Sequence, residues 1–334
     1  MYRFFRPLLF HLDPEDAHNL TLNMVRLAGN FAPARRILQS LYAAPDQPVT
    51  AFGLTFKNPI GLAAGYDKDG VAVRGLAALG FGHIEVGTVT PRPQAGNPRP
   101  RVFRLVEDRA VINRMGFPGR GSNFVARQLA GRQRPAAIKV GVNLGKNKDT
   151  PLEEASSDYL SLMRTFAALA DYLILNVSSP NTVGLRRLQG RQMLEGLLGA
   201  IARERPSLNY HIPVLVKLAP DLDEEELEDA LQVILDSGMD GIVATNTTLS
   251  RPDLRSQRAS ESGGLSGDPL RKLSLIMLKK IVKKVAGRLP VVSAGGVMTP
   301  EDAHQRLETG ATLVQVYTGL VYGGPGLVKE ILTS

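Results

Sequence analysis

Eight short apolar runs recur along the chain from residue 58 onward, and most of them end in glycine or polar residues. Most are separated by stretches with helical periodicity, such as DEEELEDALQVILDSG. Strands that are apolar throughout are typical of parallel sheets, because such sheets are covered on both faces. The pattern therefore predicts an α/β fold with a closed (β/α)8 TIM barrel rather than an open doubly wound sheet. The runs are NPIGLAAG, HIEVGTV, AIKVGVN, YLILNVS, PVLVKLA, GIVATN, LPVVSAG and LVQVYTG.

One segment interrupts the alternation, since PRPRVFRLVEDRAVINRMGFPGRG shows no helical pattern where the second helix belongs. The stretch RVFRLVEDRAVI predicts two strands around a turn at Glu107 and Asp108, that is, a β-hairpin inserted after strand two. Long insertions on the carboxyl-terminal side of a barrel usually shape the active site.

Residues 1–45 form a section separate from the barrel of residues 46–334. LDPEDAHNLTLNMVRLAGN predicts a helix with Asp13 as N-cap, Pro14 at its first position, and Gly29 and Asn30 as stops. A second short helix is expected after Pro33. The first ten residues mix Phe and Leu with Arg, which suits either a helical cap on the barrel or an anchor at a membrane interface. The residues alone leave both interpretations open.

The composition narrows the chemistry. The chain has 334 residues and no Cys, which excludes disulfides, thiolate metal sites and cysteine catalysis, and no metal site is predicted. The net charge of +8 favours anionic partners. Because the basic residues are scattered and no nucleic-acid motif occurs, nucleic acid is not an expected partner. No apolar run approaches the ~20 residues of a membrane-spanning helix. The first residues look like a signal peptide, but Pro7 and His11 interrupt their apolar stretch, so we expect this segment to be retained in the mature protein.

Polar residues and glycines gather at the carboxyl ends of the predicted strands. A single polar residue there is usually a helix cap, but such residues at all eight ends favour a ligand site. Amides and hydroxyls can bind a flat heterocycle, and the glycines of SAGGV, YTG and the expected flexible loop GGLSGDP can admit a phosphate or simply make tight turns. The strand-end residues are Ala64, Gly65, Lys68, Thr88, Asn143, Asn176, Lys217, Thr245, Asn246, Gly295, Gly296, Tyr317 and Thr318.

Several familiar motifs are absent from the sequence. GVNLGKN has the wrong spacing for a P-loop. The G-x-G-x-x-G motif does not occur, so the sequence gives no indication of a binding site for a nicotinamide dinucleotide. The five His residues precede strands or lie on helices, so a Ser-His-Asp triad is not expected. Flavin mononucleotide (FMN) fits the Ser, Asn, Lys and Thr that remain, because its ring carries a redox step that these side chains cannot perform. Its phosphate fits the glycines after the last two strands. Lys217 could support negative charge on the reduced ring.

Taken together, these motifs resemble the class 2 dihydroorotate dehydrogenases, the membrane-associated family members that use quinone. The resemblance extends over nearly the whole chain. It rests on LDPEDAH, NPIGLAAGYDKDG, VGTVTPRPQAGNPRPR, INRMGF, LNVSSPNTVGLR, VKLAPDL, TNTT, GGLSG and YTGLVYGGPG.

The resemblance implies oxidation of dihydroorotate to orotate in pyrimidine (UMP) biosynthesis, with electrons passing through one FMN to a membrane quinone. Ser179 would be the base that removes the C5 proton while hydride passes from C6 to flavin N5, with Thr182 or water as a proton relay. The implied substrate-binding residues are Lys68, Asn113, Arg114, Met115, Gly116, Phe117, Asn176, Asn181, Asn246 and Thr247. The implied FMN-binding residues are Ala64, Gly65, Tyr66, Asp67, Lys68, Thr88, Asn143, Asn176, Lys217, Thr245, Gly267, Gly296, Tyr317 and Thr318.

For residues 1–45 the resemblance implies a quinone tunnel that opens toward the bilayer, with His18, Arg104 and Tyr317 on the tunnel side. The protein is then expected to be a monomer bound peripherally at the cytoplasmic face of the bacterial inner membrane. Tyr66 stands where relatives often have Phe.

Three other functions stay open at this point. A relative coupled to NAD or fumarate should lack the N-terminal section and use Cys. A Schiff-base aldolase would use Lys217 as its amine, and a membrane-bound metabolite-binding protein would perform no chemistry at all.

Overall fold

The computed structural model describes residues 2–131 and 138–334. Met1, in the predicted N-terminal section, and Ala137, the first residue of the run AIKVGVN, lie outside the described residues. The chain begins with three helices and a small two-stranded hairpin. These are α1 (Tyr2–His11), α2 (Pro14–Asn30), α3 (Ala32–Tyr42), β1 (Val49–Ala51) and β2 (Leu54–Phe56).

Strands and helices alternate through the remainder of the chain. The strands are β3 (Ile60–Asp67), β4 (His83–Val89), β5 (Val102–Leu105), β6 (Ala110–Asn113), β7 (Lys139–Leu144), β8 (Tyr172–Asn176), β9 (Val214–Leu218), β10 (Gly241–Ala244), β11 (Gly264–Gly267), β12 (Val291–Ala294) and β13 (Leu313–Val316). The helices are α4 (Val73–Ala77), α5 (Ser122–Ala130), α6 (Ala155–Phe166), α7 (Arg191–Glu204), α8 (Glu224–Asp236), α9 (Arg271–Val285), α10 (Pro300–Glu308), α11 (Thr318–Gly323) and α12 (Leu327–Thr333), with 3₁₀ turns at Leu185–Gln189, Arg205–Ser207 and Asp268–Leu270.

Eight strands close into a parallel barrel in the order β3-β4-β7-β8-β9-β10-β12-β13. Each corresponds to one of the eight apolar runs, so the predicted (β/α)8 fold is confirmed. Because the strands are parallel, their carboxyl ends meet at one mouth of the barrel. The register places Asn176 of β8 directly beside Lys217 of β9.

The barrel interior changes in character along its axis. At the amino ends of the strands, His83 and Tyr172 pack with Phe56 of β2, with ring centroids 5.5 to 6.3 Å apart. Nearer the mouth, the barrel interior contains the buried charged side chains of Glu85 and Lys217. The amino end of the barrel is therefore closed by rings, whereas the other end presents groups capable of chemistry.

The predicted hairpin after strand two is present as β5 and β6, and its turn includes Glu107 and Asp108. The prediction for GGLSG was wrong in one respect, since this segment is a strand rather than a flexible loop. β11 pairs antiparallel with β6 and extends the hairpin to three strands. Two sequence-distant segments are thus joined above the barrel mouth by backbone hydrogen bonds.

The N-terminal section contains three helices, where the sequence predicted two. The Asp13 carboxylate caps α2 by accepting the N–H groups of Glu15 and Asp16, as predicted. The unanticipated helix is α1, which includes Pro7 in its second turn. The predicted stop at Gly29 and Asn30 is confirmed, because α2 ends at Asn30. A Cβ at Gly29 would lie 2.3 Å from the Gly75 nitrogen. Gly29 therefore allows α2 to lie directly on α4.

An ion-pair cluster fastens α2 to the barrel insertion. The buried Glu15 carboxylate accepts two hydrogen bonds from Arg101, the shorter at 2.7 Å, and pairs with Arg99 at 3.1 Å. Burial raises the pKa of Glu15, but the two guanidinium groups outweigh this effect and hold it below the usual value. Glu15 is therefore charged at neutral pH and ties the helices to the loop before β5.

The outer face of the N-terminal helices is apolar. Phe4 is 86% exposed and Leu8 is 71% exposed. Within the described residues, no helix combines the length and the apolarity needed to cross a bilayer. The other large exposed apolar side chains of this section are Phe5, Leu12, Leu20, Met24, Leu27, Phe31, Ile37 and Leu41.

Candidate active site at the barrel mouth

A cavity lies at the carboxyl ends of the barrel strands, and most of the residues singled out from the sequence surround it. Side chains from β3, the β5–β6 hairpin and the loops after β8, β10 and β12 contribute to its wall. The sequence-predicted residues in this wall are Ala64, Gly65, Lys68, Thr88, Asn113, Met115, Gly116, Phe117, Asn176, Ser179, Asn181, Lys217, Thr245, Asn246, Thr247, Gly267, Gly295, Gly296, Tyr317 and Thr318.

Amides and one hydroxyl form a connected network in the floor of the cavity. Thr88 Oγ1 donates to Asn143 Oδ1 at 2.6 Å, and Asn176 Nδ2 donates to Thr88 Oγ1 at 2.9 Å. Asn246 Nδ2 reaches Asn176 Oδ1 at 3.2 Å. Four strand ends are therefore linked, which fixes the direction of each remaining donor and acceptor.

Asn143 belongs to this network but does not line the cavity. It is fully buried, and hydrogen bonding from its side chain to the Glu85 carboxylate partly opposes the rise in the pKa of that group. Asn143 therefore links the strand-end network to the charged groups inside the barrel.

Ser179 lies in the loop after β8 and faces the cavity, with its side chain almost fully buried. Its Oγ accepts the backbone N–H of Asn181 at 3.2 Å. Asn181 in turn donates from Nδ2 to Asn113 Oδ1 on the hairpin at 3.1 Å, whereas its own Oδ1 has no partner among the described residues. The Ser179 hydroxyl thus lies in a network with the side-chain amides of Asn181 and Asn113, and Asn181 Oδ1 remains available to accept a hydrogen bond.

Two lysines bring positive charge to the cavity. Lys68 Nζ donates to the Gly65 carbonyl at 2.8 Å, and burial lowers its pKa to about 8. Burial also lowers the pKa of Lys217, while the nearby Glu85 carboxylate opposes this effect. Burial raises the pKa of Glu85, which accepts a hydrogen bond from Gln315. Burial disfavours the protonated form of both lysines, and a bound anion would favour it again. The two lysines therefore suit an anionic ligand.

The opposite side of the cavity is built from glycine backbone. Gly267 and Gly296 have positive φ angles, and a Cβ on Gly296 would lie 2.3 Å from the Cα of Arg271, the first residue of α9. On Gly267 a Cβ would lie 2.4 Å from the Arg109 carbonyl oxygen. Only glycine lets these backbones come so close, and a helix N-terminus beside them favours an anion.

Besides Asn143, three of the predicted binding residues lie outside the cavity wall. Asp67 accepts the backbone N–H groups of Val71 and Ala72 at 2.9 and 2.7 Å, which shapes the loop after β3. Arg114 pairs with Glu261 at 2.6 Å. The Tyr66 ring packs against His18 and Tyr317, with centroids 5.0 and 5.9 Å away. The side chains of Asp67, Arg114 and Tyr66 thus make contacts within the protein. Their direct contact with a ligand stays a prediction.

The N-terminal section supplies part of the same cavity wall. His18 and Arg104 both line it, together with Tyr317. Burial, and secondarily the charge of Lys68, lowers the pKa of His18 to about 3, so its ring is neutral. The Arg104 guanidinium lies 4.2 Å from the centre of the Phe10 ring and donates to the Phe10 carbonyl at 3.1 Å.

Several wall residues were not anticipated from the sequence. Val102 and Val111 point inward because side chains alternate along the hairpin strands, a signal that the sequence does contain. Pro14 and Glu15 enter the wall only because α2 lies across the barrel, which local pattern does not reveal. The unanticipated wall residues include Pro14, Glu15, Val102, Val111, Ser266 and Val321. No group of three or more His, Asp or Glu among the described residues could hold a metal ion.

A (β/α)8 barrel with buried amides, lysines and a serine around a cavity at its carboxyl mouth defines an enzyme-type barrel. The dihydroorotate dehydrogenase family model matches residues 48–334. The dihydroorotate dehydrogenase (quinone) of Anaeromyxobacter sp. (strain Fw109-5) is 51% identical over 325 residues, which cover 97% of this chain and 89% of the relative. That of Thermus thermophilus is 50% identical over 335 residues, covering 99% and 94%.

Solved structures agree with this match. The Eimeria tenella DHODH in complex with ferulenol superimposes with a TM-score of 0.86 at 36% identity, covering 96% of this chain and 89% of that one. The chain belongs to the dihydroorotate dehydrogenase family, and within it to the quinone-using class 2.

Proposed function

We propose that this protein oxidises dihydroorotate to orotate for pyrimidine (UMP) biosynthesis and passes the electrons through FMN to a membrane quinone. The observation that carries the proposal is the shared cavity, whose wall contains both Ser179 and His18 of α2. One space thus contacts both the predicted substrate residues and the N-terminal helices.

The residues present fit FMN. FMN supplies a ring that accepts a hydride and later gives up its electrons. Asn143 and the buried cation Lys217 both interact with Glu85 inside the barrel. Gly267 and Gly296 leave no room for a Cβ, and the α9 N-terminus adjoins Gly296. Amide and lysine groups would hold the ring, and this glycine backbone with Thr318 would hold the phosphate.

Substrate binding is assigned to the amides on the opposite wall. The free Oδ1 of Asn181 would accept a ring N–H, because a buried amide oxygen needs a donor. Asn113, Asn176, Asn246 and Thr247 offer further donors and acceptors for the flat ring. The Lys68 ammonium would bind the substrate carboxylate by a charge-assisted hydrogen bond.

Ser179 is assigned as the base at C5. A serine hydroxyl is a poor base at neutral pH, so its environment must favour the transfer. The Asn181 N–H that donates to Ser179 Oγ stabilises negative charge on that oxygen. Thr182 Oγ1 is buried without a partner among the described residues, which supports its assignment with water as the proton relay.

Residues 1–45 are assigned to the quinone and the membrane. The exposed apolar side chains of α1, α2 and α3 can enter the headgroup and acyl boundary, as in peripheral amphipathic helices. His18, Arg104 and Tyr317 are then the inner end of the quinone path. The protein would be a monomer at the cytoplasmic face of the bacterial inner membrane.

The spectrum of the purified protein tests the proposal. We expect a yellow protein whose flavin absorbance bleaches when dihydroorotate is added without oxygen, and returns faster with a lipophilic quinone than with NAD⁺ or fumarate. Colourless protein that stays inactive with dihydroorotate and quinone after FMN is added would contradict it. Faster recovery with NAD⁺ or fumarate would contradict the quinone assignment alone.

A further inference from the structure

One guanidinium group connects three loops beside the active site. Arg186 lies in the 3₁₀ turn after Ser179. Its Nε donates to the Ser178 carbonyl at 3.1 Å, and its Nη2 donates to the Thr247 carbonyl at 2.8 Å. Its Nη1 pairs with Asp221 Oδ2 at 2.7 Å, and both side chains are less than a quarter exposed.

Asp221 extends the connection to a third backbone position. Thr248 Oγ1 donates to its other oxygen, and the N–H of Leu249 donates to Oδ2 at 3.2 Å. Arg186 and Asp221 therefore hold the loop after β10 from both its carbonyl and its N–H sides. The planar fork of arginine can make these bonds at once, which a lysine cannot.

The positions of these bonds matter for the chemistry. The Ser178 carbonyl immediately precedes Ser179, and the Thr247 carbonyl belongs to a residue assigned to the substrate. The segment from Ser179 to Arg186 includes Gly184 in the left-handed conformation and Val183, which is 88% exposed. Leu185 is fully buried and anchors the end of this segment in the core, whereas the Arg186 guanidinium connects the segment to the loop after β10.

We infer that Arg186 is a positioning residue, which locks the Ser179 loop to the Asn246–Thr247 loop and so sets the distance between the base and the bound substrate. The inference rests on the proposed function for its chemistry, but its geometry does not. Asp221 pairs with the guanidinium and so helps to hold it against both carbonyls.

The test compares Arg186→Ala, Arg186→Lys and Asp221→Asn with Arg191→Ala. Arg191 is the matched control, because it also pairs with carboxylates but lies exposed on α7. Three quantities are measured on the flavin-loaded protein: the rate of flavin bleaching by dihydroorotate, the rate of reoxidation by quinone after chemical reduction, and amide hydrogen exchange in residues 178–190.

For Arg186→Ala we expect bleaching to slow by about 10-fold or more, since small displacements of a reacting group have effects of this size. Hydrogen exchange in residues 178–190 should accelerate, while quinone reoxidation stays within twofold of wild type. Arg186→Lys and Asp221→Asn should be intermediate, and Arg191→Ala unchanged. A residue that only stabilises the fold would instead lower the unfolding temperature and leave the bleaching rate of the folded protein intact.

Bleaching and exchange both within twofold of wild type in Arg186→Ala would overturn the inference. If that variant does not fold, wild-type values in Asp221→Asn overturn it equally. A wild-type protein that dihydroorotate cannot reduce would refute the proposed function, whereas the exchange comparison, which needs no substrate, would still decide whether Arg186 holds the loop.

Discussion

The backbone N–H of Asn181 points at the Ser179 hydroxyl oxygen, 3.2 Å away. The same residue reaches the hairpin through Asn113. The orientation of Ser179 therefore depends on a turn of its own loop that is secured to the insertion after β4. This relationship explains how a serine can be held for proton transfer without a neighbouring histidine.

Replacement of Ser179 by Ala should slow flavin bleaching by dihydroorotate about 100-fold or more, because a positioned general base contributes roughly 10² to 10⁴ in rate. Orotate binding, followed by the shift of the flavin spectrum, should stay within a few-fold of wild type, since the amides remain. Ser157→Ala, on the outside of α6, serves as the control. Wild-type bleaching by Ser179→Ala would remove the serine from its assigned role.

The Glu15–Arg101 pair should contribute more to stability than an exposed pair. Glu15→Gln leaves Arg101 buried with its charge uncompensated, which costs roughly 3 kcal/mol. The Lys57–Asp46 pair, at 3.2 Å but exposed, gives a matched control, and Asp46→Asn should cost less than about 1 kcal/mol. Thermal unfolding at pH 7 measures both. Equal midpoints for the two variants would show that the buried pair does not fasten α2.

Acid should destabilise the protein through His83. Burial lowers the pKa of His83 to about 3, and neither ring nitrogen has a partner among the described residues. Between pH 6.5 and about 3 the unfolded chain binds this proton and the folded chain does not, so stability falls as the pH falls, by about 1.4 kcal/mol per pH unit.

His83→Leu removes this proton uptake on unfolding. As the pH is lowered from 7 to 4.5, the urea midpoint of the variant should therefore rise steadily relative to that of wild type. His211→Leu, at an exposed position, is the matched control for the replacement of a histidine by leucine. Parallel pH profiles for His83→Leu and wild type would mean that the His83 ring is accessible to protons in the fold.

Membrane binding should depend on the exposed face of α1. Phe4→Asp combined with Leu8→Asp should weaken sedimentation with anionic vesicles by roughly 100-fold, because burial of each side chain contributes about 1.5 kcal/mol or more. Tyr210→Asp combined with Ile276→Asp replaces exposed apolar residues on the barrel instead. This control should bind like wild type, and an equal loss in both double variants would argue against a specific face.

The barrel was predictable from sequence because its signal is local and repeated. Each buried strand leaves its own apolar run, and the amino acids that follow each run must meet at one mouth. Asn143, Asn176 and Lys217 could be grouped by their strand-end positions alone. The Asp13 cap of α2 was equally local, since it involves only residues 13–16.

Other features depend on contacts between distant segments and leave no local pattern. GGLSG pairs with β6, more than 150 residues away, and its glycines suggested a loop. Gly29 was predicted only as part of the stop that ends α2, and its close approach to α4 could not be seen from the sequence. Arg186 and Asp221 carry no periodic signal, because a polar contact between loops depends only on where the loops lie.

The cavity wall shared by α2 and the barrel has a practical consequence for protein engineering. Removing the N-terminal helices to obtain a more soluble form would also remove Pro14, Glu15 and His18 and open the interior to bulk water. A better strategy keeps the three helices and exchanges only their outward-facing phenylalanines and leucines for polar residues. Such a redesigned surface should give a detergent-free enzyme for crystallisation and inhibitor screening with its interior left intact.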